Sequence, residues 1–323
     1  MYVINASDIG SAWVQACNLF REKGYLVNTR NGKALQMSGV FATEYSSPMN
    51  HVLYCPARDA NPFFHLMEAL WMLGGRNDVA FLEQYNSTIR QFSDDGVSFN
   101  GAYGYRWRHQ FGKDQLEEIA RNLEDNNVDR RNVLQMWSSD DLSCQTRDVP
   151  CNLSATFQLE KGRLNMVVFN RSNDLVWGAM GANVVHFSVL LMYLANKIGA
   201  EVGTYTQVSA NTHVYERHFD LIENASADVP LAFEENRPIT FGPEFDMSLQ
   251  WFLAGHSLNE CPFFKNVANP MRKAYSLFKN KQNPDRFDEA LDCLATVPLS
   301  PWTVAAHRWI LRRSTKSSGM AAK

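Results

Sequence analysis

Apolar and polar positions follow two periods along this chain. Between Ala6 and Lys23, Trp13, Ala16, Cys17 and Phe20 recur at helical spacing on one face, which predicts an amphipathic helix. Tyr25 to Tyr45 has strand character, broken by a turn at Arg30-Asn31-Gly32-Lys33. Asn61-Pro62 opens a strongly apolar helix through Phe64, Leu66, Met67, Leu70, Trp71 and Leu73, and Gly74-Gly75 ends it. One carboxylate, Glu68, interrupts that apolar pattern. A buried carboxylate is costly unless it is paired or functional.

The pattern predicts a further helix over Asp78–Phe92, a glycine-rich loop with aromatics over Asn100–Arg108, and a surface helix over Asp114–Asn126. Arg130–Trp137, Leu153–Leu159 and Leu164–Asn170 read as strands, the last two joined by a Lys161-Gly162 turn. Val184–Ile198 reads as a long buried helix, Gly203–Ser209 as a strand, and His213 to about Glu223 as a helix. Composition shifts near Ala232, beyond which Pro238, Pro243, Pro262 and Pro270 punctuate the chain. Helical stretches follow at Met271–Lys279, Asp285–Leu294 and Pro301–Arg313, and Ser314–Lys323 reads as a frayed end. The chain therefore divides into a domain over 1–232 and a mostly helical extension over 233–323.

Composition narrows the function classes. At 323 residues, 45% hydrophobic and 12% aromatic, the chain can bury a sizeable core. A net charge of −3 gives no case for a bulk polyanion as partner, although a local arginine cluster can still hold one phosphate. The six cysteines form no CxxC pair and suggest neither a disulfide framework nor a metal site. Met1–Gly10 lacks the layout of a signal peptide, and Val184–Ala195 is too short and too polar to span a bilayer. A soluble, reducing, cytoplasmic setting is the expectation.

The candidate chemistry lies between Asp148 and His218. Cys151 follows Pro150 at the start of a strand pattern; as a nucleophile it needs a nearby cation, and otherwise it is an inert buried thiol. Arg171-Ser172 can clamp an anion or can close a solvated strand end. Arg130-Arg131 and Arg30 are weaker candidates for the same anion. Asn183, after Gly178 and Gly181, carries an amide able to read a pyrimidine N3–H and O4, or able to cap the helix that begins at Val184. His213 and Tyr215 suit a ribose hydroxyl, or ordinary packing.

The order and spacing of these residues resemble the thymidylate synthase superfamily, which includes the deoxynucleotide hydroxymethylases of phages. The resemblance runs from about Arg30 to His218. Pro150-Cys151 is followed 20 residues later by Arg171-Ser172-Asn173-Asp174, matching the family's Pro-Cys and Arg-Ser-x-Asp. His213-Val-Tyr215, Glu68, Tyr103 and Arg130-Arg131 match further motifs. The resemblance implies a mixed α/β (α+β) fold with a large twisted mixed sheet, flanking helices and an obligate homodimer. It also implies a reaction in which Cys151 adds to C6 of a pyrimidine nucleotide, and C5 then takes a one-carbon unit from 5,10-methylenetetrahydrofolate. Glu68 and Tyr103 would serve catalysis, with Glu68 moving protons through water. Asp174 would hold the folate, with Arg90 nearby. Arg30, Arg171, Ser172 and the partner subunit's Arg130 and Arg131 would hold phosphate, and His213 and Tyr215 the sugar. No metal is implied.

Water or hydride can complete such a reaction, giving a hydroxymethyl or a methyl group. Synthases carry His after the nucleophile, where this chain has Asn152, and a tryptophan near the folate, at about Arg90. The Arg-Ser-Asn-Asp and His-Val-Tyr-x-Arg-His strings look like the phage hydroxymethylases, so the resemblance favours hydroxymethylation. Cytosine-specific hydroxymethylases carry Asp at the Asn183 position, so Asn183 favours dUMP over dCMP; a shift of one residue in the turn would put Ala182 there. The alternatives are thymidylate synthase, dCMP hydroxymethylase and a silent nucleotide- or RNA-binding regulator.

Overall fold

The computed structural model describes residues 1–226, 241–242, 244–257 and 259–321. The composition change near Ala232, with Pro238 and Pro243, lies outside the described residues.

Strand β1 (Tyr2–Ala6), which the pattern did not predict, leads into helix α1 (Ile9–Lys23). Asp8 caps α1 by accepting from Ser11 N–H, and Ala12, Trp13, Ala16, Cys17 and Phe20 form its buried stripe. Strands β2 (Tyr25–Thr29), β3 (Gly32–Gln36) and β4 (Phe41–Tyr45) follow. Helix α2 (Pro62–Leu73) starts as expected. Pro62 sits in its first turn, and Asn61 accepts from the N–H groups of Phe63 and Phe64. Every residue of α2 except Glu68 is buried, so α2 is a core helix.

The helix expected over Asp78–Phe92 is broken into α3 (Val79–Glu83) and a 3₁₀ turn at Ile89–Phe92. The Asn86 side chain accepts from both the N–H and the hydroxyl of Thr88, which competes with helical bonding. The loop expected over Asn100–Arg108 is instead helical from α4 (Tyr103–Tyr105) into a π-helical segment, Arg106–Gln110. Gly104 is not a loop signal but a point of close approach: a Cβ there would lie 2.0 Å from the Met72 carbonyl oxygen of α2. Helix α5 (Gln115–Asp125) and strand β5 (Val133–Gln135) come next.

Strands β6 (Asn152–Glu160) and β7 (Arg163–Asn170) form a hairpin. Its two-residue turn holds Lys161 at φ 50° and Gly162 at φ 79°. After the short β8 (Asn173–Asp174), a π-helical segment, Leu175–Ala182, runs directly into α6 (Asn183–Lys197). The apolar run thus extends over Leu175–Lys197, bent at Met180 (φ −107°, ψ 18°); it is long and apolar enough to cross a membrane by length and composition, but 89% of its most apolar stretch is buried within the protein. Strands β9 (Glu201–Ser209) and β10 (Thr212–Tyr215) follow, so His213 begins no helix; pairing of β10 with β3 and β8 takes precedence, and α7 (Phe219–Glu223) starts later.

Two mixed sheets result. One has six strands in the order β1-β4-β9-β7-β6-β5, and the other has four in the order β2-β3-β10-β8. Beyond the undescribed stretch lie α8 (Phe245–Leu253), also unpredicted, then α9 (Asn269–Lys279), α10 (Arg286–Ala295) and α11 (Pro301–Ala321), which continues into the stretch expected to be frayed. Of these, α9 and α11 pack on α2, where Phe63 meets Tyr275 and Trp309 at ring-centroid distances of 5.0 and 5.7 Å, and α10 packs on α9 and α11. Burial of each such side chain stabilises by about 1.5–3 kcal/mol.

Arg106 ties the loops around α4 together. It donates to Asn100 O and Met136 O and forms a two-pronged pair with Asp141 at 2.6 and 2.9 Å. The two side chains are 2% and 4% exposed. Burial alone would raise the Asp141 carboxyl, but the Arg106 and Ser138 hydrogen bonds override it and hold it below the usual range. A depressed carboxyl contributes stability above its unfolded pKa and loses it as pH falls through the folded one. Asp141→Ala leaves the guanidinium buried and unpaired, so chemical denaturation at neutral pH is expected to show a loss of about 3–5 kcal/mol. The loss should shrink on acidification.

Candidate active site

Cys151 sits just before β6. The Tyr103 hydroxyl accepts from Cys151 N–H at 2.9 Å and from Asn152 N–H at 3.1 Å. Arg171, just after β7, donates from Nε to Pro150 O at 2.8 Å and from Nη2 to Val149 O at 3.2 Å. The same Nη2 lies 3.7 Å from Cys151 Sγ. The β6–β7 register shifts between Asn152 and Ser154, an irregularity that re-aims the chain beside the thiol. Burial pushes the Cys151 thiol up; Arg171 opposes this most, Asp148 adds to it, and Arg30 opposes it further. The resting group is thus a thiol, and its thiolate depends on the arginines. Burial likewise raises the Tyr103 phenol, which keeps its proton.

Asn183 lies inside the helix at φ −62°, ψ −43°, so the capping alternative is overturned. Asp174 is the cap: its Oδ1 accepts from Val176 N–H at 2.8 Å and Trp177 N–H at 2.9 Å. The Asn183 amide enters a buried network. Its Nδ2 donates to Asn173 Oδ1 at 3.2 Å and Asn152 Oδ1 at 3.4 Å. Asn173 in turn donates to Gln207 and Ser209, both at 3.1 Å, and Asn170 donates to Asn152. Gly178 admits this network, since a Cβ there would lie 2.4 Å from Asn173 Oδ1. Asn152 Nδ2 and Asn170 Oδ1 are left without partners. One turn beyond Asn183, His186 Nε2 lies 3.0 Å from Glu68 Oε2. Cys151, Asn183 and Glu68 are thus linked through neighbouring residues.

On β10, the His213 and Tyr215 rings meet at 4.9 Å. His213 is in register with Asp174 on β8, and its Nδ1 bonds Asn211 Oδ1 at 3.0 Å. Burial holds the His213 imidazole below its ordinary pKa against the pull of Asp174, so it is neutral at pH 7. Asn31 donates to Tyr215 Oη at 3.2 Å, which brings the exposed Arg30 loop to this strand. Ser172 is half-buried beside Arg171. Arg130 and Arg131 are exposed before β5, with Arg131 paired to Asp129 at 2.7 Å. Arg90 is 56% exposed and paired with Glu83 at 3.0 Å. Among the described contacts, Arg90, Arg130 and Arg131 do not touch the Cys151 cluster. Among the described residues, no group of three His, Cys, Asp or Glu could hold a metal ion.

Several site neighbours carried little sequence signal. Trp177 is 44% exposed beside Phe64, and Trp137 receives the Arg171 guanidinium 5.5 Å above its ring. Arg58 donates twice to Val176 O, and its position showed in no motif. His186 was visible only as a break in an apolar run.

The family model for thymidylate synthase matches residues 13–234. Over 97% of its length the chain is 43% identical to a deoxyuridylate hydroxymethyltransferase of Pseudomonas phage M6, and it covers 95% of that protein. It is also 35% identical to a deoxyuridylate hydroxymethyltransferase of Bacillus phage SP01, across 67% of this chain and 59% of that one. The matched stretch contains Glu68, Tyr103, Cys151, Arg171 and Asn183, and on these grounds the chain belongs to the thymidylate synthase family.

Proposed function

We propose that the protein is a folate-dependent dUMP 5-hydroxymethylase, which converts 5,10-methylenetetrahydrofolate, dUMP and water to 5-hydroxymethyl-dUMP as a modified DNA precursor. The near full-length likeness to the phage M6 deoxyuridylate hydroxymethyltransferase supports the reaction. The observation that carries the base assignment is the pinned Asn183 amide. With Nδ2 tied to Asn173 and Asn152, Oδ1 is the atom left to meet a base. An acceptor here suits N3–H of uracil; cytosine at neutral pH presents a lone pair at N3, and its one donor on that edge is N4–H₂, which the two acceptors of an aspartate would suit better. Ala182 offers no such group.

In this reading Cys151 adds to C6 and makes C5 nucleophilic, splitting one hard substitution into easier steps. Arg171 orients the thiol and, with Ser172, Arg30 and the partner subunit's Arg130 and Arg131, holds the phosphate. The exposed position of the two loop arginines fits a reach across a homodimer. His213 and Tyr215 face the sugar, and Tyr103 holds the nucleophile's backbone. The folate, when bound, supplies carbon at the oxidation level of formaldehyde. The residues present fit it: Asp174 caps with Oδ1 alone among its described bonds, and the exposed Trp177 offers a flat apolar face. Arg90 is a charged, solvent-facing group where an apolar shield would exclude water. The host cytoplasm, where both small molecules occur, is the compartment implied.

Cys151→Ala is expected to lower turnover by on the order of 10⁴ or more while retaining dUMP binding by calorimetry. Robust turnover without the thiol would contradict the mechanism. In competition assays read by mass spectrometry, Asn183→Asp should move the dUMP:dCMP ratio of kcat/KM toward cytosine by at least about tenfold. An unchanged ratio would remove Asn183 from base recognition.

A further inference from the structure

The Glu68–His186 contact has no task in the scheme above. The two side chains are 16% and 5% exposed, and their facing atoms, 3.0 Å apart, lie off the line of a hydrogen bond. Among the described residues, Glu68 Oε2 and His186 Nε2 have no hydrogen-bond partner. A buried carboxylate oxygen and a buried imidazole nitrogen left facing each other are costly unless a proton moves between them. The contact is held by two core helices. Apart from Glu68, α2 is buried throughout, and Asn183 to Ala195 of α6 are buried without a break. His186 lies one turn from Asn183, so the face of α6 that turns the amide to the base also turns the imidazole to Glu68.

Other groups near the pair are occupied or unsuited. His65, three residues before Glu68 on α2, is pushed down to about 3 by burial, by Arg58 and by His186, so it stays neutral. Arg58 is a cation and accepts no proton. Asp148, on the loop before Cys151, is the nearby carboxylate; burial raises it, Glu68 adds to the rise, and its Oδ2 already accepts from Gly101 N–H at 2.7 Å.

Hydroxymethylation releases one proton from C5 and another from the attacking water, and the amines of the released tetrahydrofolate take up an equal number. A single carboxylate holds one proton at a time. We infer that His186 is the proton partner of Glu68, a positioning residue that acts through it in the water-addition step. The water oxygen bonds to the exocyclic methylene carbon on the pyrimidine, and the C=C pair moves toward C5 and O4. That pair then closes C5=C6 as the C6–S bond breaks and returns its electrons to Cys151. Glu68 accepts the water proton because the proton it took at C5 has passed to His186 Nε2. This role rests on the hydroxymethylase reading.

The test is rapid quenching with C5-tritiated dUMP and methylenetetrahydrofolate, following tritium release and hydroxymethyl product together. In the unaltered enzyme the two should rise in step. In His186→Asn, kcat is expected to fall about 10²-fold. KM for dUMP should stay within about twofold. Tritium should also appear in a burst of about one per active site ahead of product, because only the second proton lacks an acceptor. His186→Gln serves as the second variant, with circular dichroism and dUMP calorimetry confirming a folded, binding-competent protein. Tritium and product in step in both variants, or a raised KM at unchanged kcat, would overturn the role of His186 alone. Tritium release from the unaltered enzyme with a methylated product would overturn the hydroxymethylase reading and this role with it.

Discussion

One phenol oxygen organises the reactive end of this molecule. Tyr103 accepts from the backbone N–H groups of both Cys151 and Asn152, which fixes the thiol and the first amide of the asparagine network in one geometry. Each bond is worth only about 1 kcal/mol net, but an N–H left unpaired in so buried a place costs about 1–3 kcal/mol. The phenol is itself held from behind. Gly104 seats α4 against the Met72 carbonyl of α2, and the buried Arg106–Asp141 pair joins the flanking loops. The position of Cys151 is therefore inherited from the packing of α2.

The electrostatics divide along the same geometry. Beyond the thiol the structure places a cluster of neutral amides: Asn152, Asn170, Asn173 and Asn183. Around the thiol it places Arg171, which works against burial. Beside Glu68 it places the His186 imidazole, with Nε2 3.0 Å from Oε2. On the proposed reading, a substrate phosphate at Arg171 changes the field at Cys151 and so couples binding to activation of the thiol.

Much of this was legible in the sequence where one principle decided the outcome. Asn61-Pro62 and Gly74-Gly75 bound α2 because caps and helix stops are local chemistry. The Lys161-Gly162 turn was legible for the same reason. Misreadings arose where tertiary contacts decided. Gly104 looked like a loop glycine, yet it is required by a neighbouring helix. His213 looked like a helix start, yet it is held in a strand by β3 and β8. The capping alternative for Asn183 fell because helical structure already begins at Leu175 behind Asp174, which nothing in the local sequence tells. His186 showed only as a break in an apolar run, and Trp177 stood in no motif, because a side chain's direction across a core is not written in its neighbours along the chain.

The chemistry turns on water rather than hydride completing the transfer to C5 of a uracil nucleotide. The direct measurement is the product mass spectrum of the purified protein given equimolar dUMP and dCMP with methylenetetrahydrofolate. The account predicts a gain of CH₂O on dUMP, with dCMP left unchanged. A gain of CH₂ on dUMP would contradict it by making the enzyme a thymidylate synthase, and a gain of CH₂O on dCMP would contradict the part assigned to Asn183.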